Sequence, residues 1–348
     1  MGLFILRRVW MMILTALALT FIVFILTNLY PNLEKLAKAQ GNQRMSDEAV
    51  TSWLSNRGYL QPVPIKYGEW LGVVPGFTRT AGDGTVTGRC IDPRKPDARV
   101  KKFCGVIQGD WGYSTVFKDD VSTIIGKRLL LTGKLMFWVM LLMVPSALLL
   151  GVLAGMREGT KLDRSLSTIS IATTATPEYV SGVIFIALFA SSAVGIKIFK
   201  GTATSAMENA TFENFFLPVL TISLYGMGYI ARMTRASMTE VMTAQYIRTA
   251  RLKGVSFANI VIKHALRNAL IAPFTVIMLQ FPWLLNGVVI VETLFNYKGF
   301  GWTLVQAASN NDIELLLAAS VVAVLVVLVT QLISDIGYVF LNPRIRIA

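Results

Sequence analysis

Side chains able to do covalent or metal chemistry are scarce in this chain. It has one histidine, His264, and two cysteines, Cys90 and Cys104. A metal centre needs three or four converging ligands, and no spacing here offers them. No HExxH, no Gly-x-Ser-x-Gly elbow and no Gly-rich loop closing on Gly-Lys-Ser/Thr occurs. The chain therefore reads as non-enzymatic and free of cofactors, and any ATP used alongside it must be bound by another polypeptide. In an oxidising compartment Cys90 and Cys104 could close a modest loop by disulfide; two unpaired thiols are the alternative. Two carboxylates fall in or beside apolar runs. Glu178 follows Pro177 inside a hydroxyl-rich stretch, and Glu292 stands where another apolar run ends. An ionised carboxylate at such depth must meet water, a cation or a partner. Each is thus either a pathway residue, Glu178 sensing a cationic substrate group, or a structural one: Glu178 near the end of its span or in a structural pair, Glu292 capping the segment after it. Asp335, near the end of the last apolar run, reads as a partner for Arg344 or Arg346.

The elements that must position these residues are membrane helices. Mean hydropathy is +0.57 over 348 residues, too apolar for an ordinary soluble protein. Runs of about 20 apolar residues span a bilayer as helices, because lipid satisfies no backbone polar group. Six such runs are predicted, at about Val9–Leu29, Leu130–Ala154, Ser165–Ala190, Phe216–Met233, Leu270–Val291 and Leu315–Phe340. The first is too long for a signal-peptide core and reads as an uncleaved anchor. Gly226 and Gly228 should let the fourth span approach a neighbour closely. The expected fold is an all-α polytopic membrane protein with both termini cytoplasmic. A polar external insert, about 30–128, separates the first span from a core of five spans at 129–348. Within the insert, Ser46 should cap a short helix that begins with Asp47 and Glu48.

Charge placement sets the orientation. Of the 33 Lys and Arg, 14 fall in four short segments on one side of a six-span topology: Arg7 and Arg8, "MREGTKLDR", the region from Arg232 to Arg267, and "NPRIRIA". Positive loops stay cytoplasmic. That placement explains the net charge of +13 without nucleic acid, which is excluded as a partner. The lipid bilayer is the first partner, and a multi-pass inner-membrane location is expected.

The most informative segment is "QYIRTARLKGVSFANIVIKHALRNALIAP", Gln245–Pro273. It reads as two short helices hinged at Gly254, with Ser256 available to cap the second. Arg248 and Arg251 share one helix face, as do Lys263 and Arg267. Tyr246, Ala250, Val255, Phe257, Ile260, Val261 and Ala265 supply apolar or small contact surface. Physics alone leaves two readings open: a helix lying against anionic headgroups, or a protein-docking knob.

This segment resembles the cytoplasmic loop of ABC importer permeases, whose pattern is Glu-Ala-Ala, three residues, Gly, nine residues, then Ile-x-Leu-Pro. Arg248-Thr249-Ala250 precedes Gly254 at that spacing, and His264-Ala265-Leu266-Arg267 occupies the distal end. Only Ala250, Gly254 and Leu266 keep the general pattern. The form "YIRTARLKG…HALRNAL" is similar to the dipeptide, oligopeptide and nickel branch. So are "LFILRR", "GDWGYS" at 109–114, "RMTRASMTEV", "VVIVETLF…GFGWTLVQA" and "NPRIR". The similarity covers nearly the whole chain except about 72–106. It implies a translocation subunit working by alternating access, with a second homologous permease, two cytoplasmic ATPase subunits and a periplasmic substrate-binding protein. It also implies that Tyr246, Arg248, Thr249, Ala250, Gly254 and Leu266 couple to the ATPase, while Pro177, Glu178 and Glu292 are candidates for the pathway from their own placement in or beside apolar runs. Peptides are the expected cargo; nickel or another small solute is the alternative. A stand-alone ion-coupled transporter is disfavoured by the scarcity of charge deep within the spans.

Overall fold

The structure is a computed structural model that describes residues 2–80, 86–91, 101–191 and 197–341. The terminal "NPRIRIA" and part of the basic cluster between Arg89 and Lys102 lie outside the described residues. Fourteen α-helices are described. They are α1 (Gly2–Thr27), α2 (Tyr30–Gln40), α3 (Asp47–Asn56), α4 (Val63–Leu71), α5 (Val121–Gly155), α6 (Lys161–Ala175) and α7 (Glu178–Phe189). They continue with α8 (Phe212–Met242), α9 (Gln245–Leu252), α10 (Phe257–Asn259), α11 (Leu266–Ala269), α12 (Ile271–Leu294), α13 (Phe300–Ser309) and α14 (Ile313–Leu341). Two small antiparallel hairpins accompany them: Thr78–Thr80 with Val86–Gly88, and Tyr113–Ser114 with Asp119–Asp120.

Four helices are long and apolar enough to cross a membrane singly: α1 from Leu6, α5, α8 and α14 to Gly337. Two further spans result if each of two bent pairs counts as one. The expected third span is such a pair: α6 and α7 meet at 104° rather than running straight from Ser165 to Ala190. Pro177 is the physical reason. It lacks an N–H, and its ring drives Thr176 into an extended conformation, φ −96° and ψ 117°. The expected fourth span also differs, since α8 continues to Met242, nine residues beyond Met233. Arg232 and Arg235 are therefore helical.

By internal packing the chain forms two units. The first is built on Leu129–Trp302 with residues 2–9 and 326–341. Its core joins Leu135, Val139, Met143 and Ala147, one i,i+4 stripe of α5, to Ile222, Ile230 and Ala231 of α8 and to Val288 and Val291 of α12. Gly226 and Gly228 permit this closeness. A Cβ at Gly226 would meet Met143 Sδ, and one at Gly228 would meet Thr173 Oγ1 and the Ser170 carbonyl. Also in this unit, Asp335 pairs with Arg8, Nη1 to Oδ2 3.2 Å, while Arg344 and Arg346, its expected partners, lie outside the described residues.

The second unit comprises Trp10–Arg128 and Thr303–Leu325. Ser46 caps α3 by accepting from the Ala49 N–H at 3.4 Å, with Asp47 and Glu48 in the first turn. Leu33, Leu36, Ala37, Val50, Leu54 and Ile313 form one small core; Phe24, Trp70, Leu317 and Val321 form another. Cys90 and Cys104 are joined by a disulfide. Ser114, of the "GDWGYS" motif, donates its hydroxyl to Asp312 Oδ2 at 2.5 Å, and Asp312 caps α14 by accepting from the Leu315 N–H at 3.4 Å.

Candidate functional site

The segment after α8 folds into a compact knob of two helical limbs. The first limb, α9, ends in a turn dictated by its sequence. Gly254 has φ +76°, the left-handed region that L side chains avoid. The Gly254 N–H donates to the Arg251 carbonyl at 3.0 Å and the Val255 N–H to the Ala250 carbonyl at 3.2 Å. This paired closure is the Schellman arrangement, and it carries the expected apolar contact, since Val255 and Ala250 join one cluster. The second limb contains a feature the sequence reading did not supply: Ile260–Ala265 is a π-helix between α10 and α11. A wider turn, with more than four residues per revolution, keeps Val261, Ala265 and Ala269 inward together. Ser256 stands at the N-cap with extended backbone but its side chain makes no cap hydrogen bond, contrary to expectation.

Ile247, Ala250, Ile260, Val261, Ala265 and Ala269 pack with Met238 of α8, flanked by Val152 and Met156. Four of the seven residues expected as contact surface, namely Ala250, Ile260, Val261 and Ala265, are thus turned inward to hold the knob on its stem. The apolar side chains left outward are Leu252 (83% exposed) and Ile262 (64%), and Tyr246 and Phe257 are exposed too. Arg248, Thr249 and Gly254 are exposed; Leu266 is half-buried. The two limbs are tied by Asn268 Nδ2 donating to the Tyr246 hydroxyl oxygen at 2.9 Å. Arg248, Arg251, Lys253, Lys263 and Arg267 of the same segment are exposed as well, so its free surface is both apolar and basic.

The stem of the knob is fixed by a pair that sequence reasoning passed over. Arg235 of α8 grips Asp163 of α6 with two bonds, Nε to Oδ1 2.5 Å and Nη2 to Oδ2 2.9 Å. Asp163 also accepts from the Gly159 N–H at 2.9 Å and the Ser167 hydroxyl at 3.2 Å. Thr160 caps α6 in the same loop. The signal available in sequence was faint: Asp163 is one of two acids, with Glu158, in a loop that also carries Arg157, Lys161 and Arg164.

Glu178 and Glu292 have different surroundings. Glu178 opens α7 directly at the bend, beside exposed Pro177, where a helix N-terminus favours negative charge. Glu292 is fully buried: the Thr132 hydroxyl donates to Oε1 and the Trp302 N–H to Oε2 at 2.9 Å. The Tyr297 N–H closes on the Glu292 carbonyl at 2.8 Å, and the Phe300 N–H donates to Thr132 Oγ1 at 2.7 Å. These bonds fold the turn between α12 and α13 around the carboxylate. Among the described residues no group of His, Cys, Asp and Glu could hold a metal ion.

The chain is similar in sequence to known membrane-transport proteins. A family model described as "Binding-protein-dependent transport system inner membrane component" matches residues 147–347, from within α5 onward. The "Probable peptide ABC transporter permease protein y4tP" of Sinorhizobium fredii is 29% identical over 346 residues, 99% of this chain and 100% of that one. A dipeptide transport system permease protein of Haemophilus influenzae is 31% identical over 262 residues, covering 69% of this chain and 78% of its own length. A glutathione transport system permease protein of Escherichia coli K12 is 33% identical over 240 residues, covering 69% and 76%.

Proposed function

The chain belongs to the family of binding-protein-dependent transport system inner membrane components, and from that premise we propose that it is the permease subunit of an ATP-driven ABC importer for peptides in a bacterial inner membrane. The observation that carries the reading is the knob at 245–269, a structured segment whose exposed side chains are apolar (Leu252, Ile262) and basic, on a chain with no nucleotide loop of its own. Such a surface suits a cytoplasmic ATPase, whose closure would displace the knob and, through the rigid α8 stem, bias two packings of the spans. In this reading both termini are cytoplasmic and the lobe at 30–128 is periplasmic. A second permease, two ATPase subunits and a periplasmic binding protein complete the importer. Peptide cargo is supported by the names of the relatives above.

Leu252→Asp tests the docking face. It places a charge on a side chain that holds up nothing in the core, so membrane insertion should be unchanged. Co-purification of the ATPase subunits should fall by about tenfold or more. Full ATPase recovery with the aspartate variant would remove the docking assignment.

Glu178 is assigned to the pathway, where the break between α6 and α7 leaves a carboxylate at the bend. In Glu178→Gln, uptake of peptides with a basic side chain should drop about three- to tenfold relative to neutral peptides. An unchanged ratio of the two uptake rates would return Glu178 to a structural role.

A further inference from the structure

The unit containing Trp10–Arg128 carries a half-open cavity of about 480 Å³ that the proposed transport cycle does not use. That volume lies within the range of small-molecule sites. Phe24 and Tyr59 line it with apolar surface, and the Arg89–Glu314 pair, Nη1 to Oε1 3.2 Å, lies along another part of the wall. The wall that matters most is one face of α4. Lys66, Glu69 and Trp70 stand three and four residues apart, so they share that face, and all three line the cavity while being almost wholly buried, at 8%, 5% and 1% exposure.

Burying a lysine, a glutamate and an indole N–H together in a lobe this small is costly unless each is satisfied. Their internal bonds leave capacity over. Lys66 donates one N–H to the Tyr59 carbonyl at 2.8 Å, and an ammonium has three. Glu69 accepts from Gln61 Nε2 at 3.0 Å through one oxygen of two. The Trp70 indole N–H is buried with no acceptor, and so is the Arg89 Nε–H. Burial lowers the Lys66 ammonium below the ordinary lysine range, with Glu69 opposing. An incoming carboxylate would restore it. One short helix therefore presents two unsatisfied kinds of donor and one carboxylate acceptor within a residue-scale patch.

We propose that this cavity binds a small zwitterion, an amino acid or a dipeptide, with its carboxylate on Lys66 and the Trp70 N–H and its ammonium on Glu69. The three residues assigned to the ligand lie on α4, outside the candidate membrane-spanning helices, while Phe24 of α1 and Glu314 of α14 complete the wall at the ends of two such helices. The proposal rests on the peptide reading only for the choice of probe. The chemistry it names is an amine and a carboxylate on one small body.

The test is equilibrium binding of radiolabelled Ala-Ala to the full-length chain, purified with its partner subunits in lipid nanodiscs and without binding protein. Saturable binding is expected. N-acetyl-Ala-Ala and Ala-Ala amide, each lacking one charge, should bind wild type about tenfold or more weakly. Lys66→Met and Glu69→Gln should lose about tenfold, and Trp70→Phe about threefold to tenfold, as expected for charged and neutral hydrogen bonds. Equal binding of the capped dipeptides, or unaltered affinity in both charge variants, or no saturable binding at all, would overturn the proposal. The capped ligands use only wild-type protein, so a poorly folded variant cannot obscure the result. Uptake of Ala-Ala by the assembled importer is scored separately. Binding without uptake would count against peptide import and not against the cavity, and uptake without binding would do the reverse.

Discussion

Replacing Gly254 by valine is expected to abolish most transport-coupled ATP hydrolysis while leaving membrane insertion intact. The residue sits at φ +76°, yet a Cβ built on it would meet no atom within 4 Å. The cost is therefore purely conformational. Left-handed backbone costs an ordinary L-residue about 1–2 kcal/mol and a β-branched one more. The chain can escape that cost by unwinding the end of α9, which breaks the bonds from Gly254 to Arg251 and from Val255 to Ala250. Val255 would then leave the cluster beneath the knob, and the exposed Leu252 would lose its fixed position. A displacement delivered to a loosened knob is not passed to α8. Since about 1.4 kcal/mol is tenfold in an equilibrium, coupled ATP hydrolysis in Gly254→Val should fall by about tenfold or more. The cause predicts an order: asparagine, which tolerates this region, should be mildest, alanine intermediate and valine worst. Glycine-like activity in valine, or a ranking by side-chain volume alone, would contradict it.

The second large effect is expected on stability. Asp163→Ala removes the acceptor from four hydrogen-bond donors at once and leaves the Arg235 guanidinium, two-thirds buried, without its partner. Breaking a buried pair from one side costs about 3–5 kcal/mol; the partial exposure of Arg235 places the effect near the lower end, about 3 kcal/mol. The loop before α6 should detach from α8, and the purified protein should show a lower midpoint in thermal unfolding and a reduced folded yield. Removing both charges in Asp163→Leu with Arg235→Met should recover part of the loss, because no buried charge is then left unpaired. An unshifted unfolding midpoint in Asp163→Ala would show that the pair contributes little.

These two residues divide what could be read in the chain from what could not. The turn at Gly254 was legible because it is local: glycine among good helix formers, followed at close range by a second amphipathic limb. The Ser46 cap was legible for the same reason, and the membrane-scale helices were legible because about 20 apolar residues in a row have few other fates. Pro177 was visible as a proline, but its consequence was not. Whether a proline kinks a span slightly or bends it by 104° depends on what packs on either side.

The partners of Asp163 and Glu292 were beyond the sequence altogether. Arg235 is 72 residues from Asp163, and Thr132 is 160 residues from Glu292. Periodicity indicates which face of a helix is apolar, but not which faces meet. Only the packing of α6 on α8, and of the α12–α13 turn on α5, brings those groups within bonding distance. The same limit governed the knob. Composition announced an amphipathic, basic, glycine-hinged segment, and that much follows from residue types and spacing. Which apolar residues anchor it and which face outward depended on the π turn and on contact with Met238. That packing turned Ala250, Val261 and Ala265 inward and left Leu252 and Ile262 exposed. Spacing along one chain fixes local geometry through backbone torsion and hydrogen-bond reach, whereas the choice among equally apolar faces is made by shape complementarity between distant segments, which exists only once they are packed.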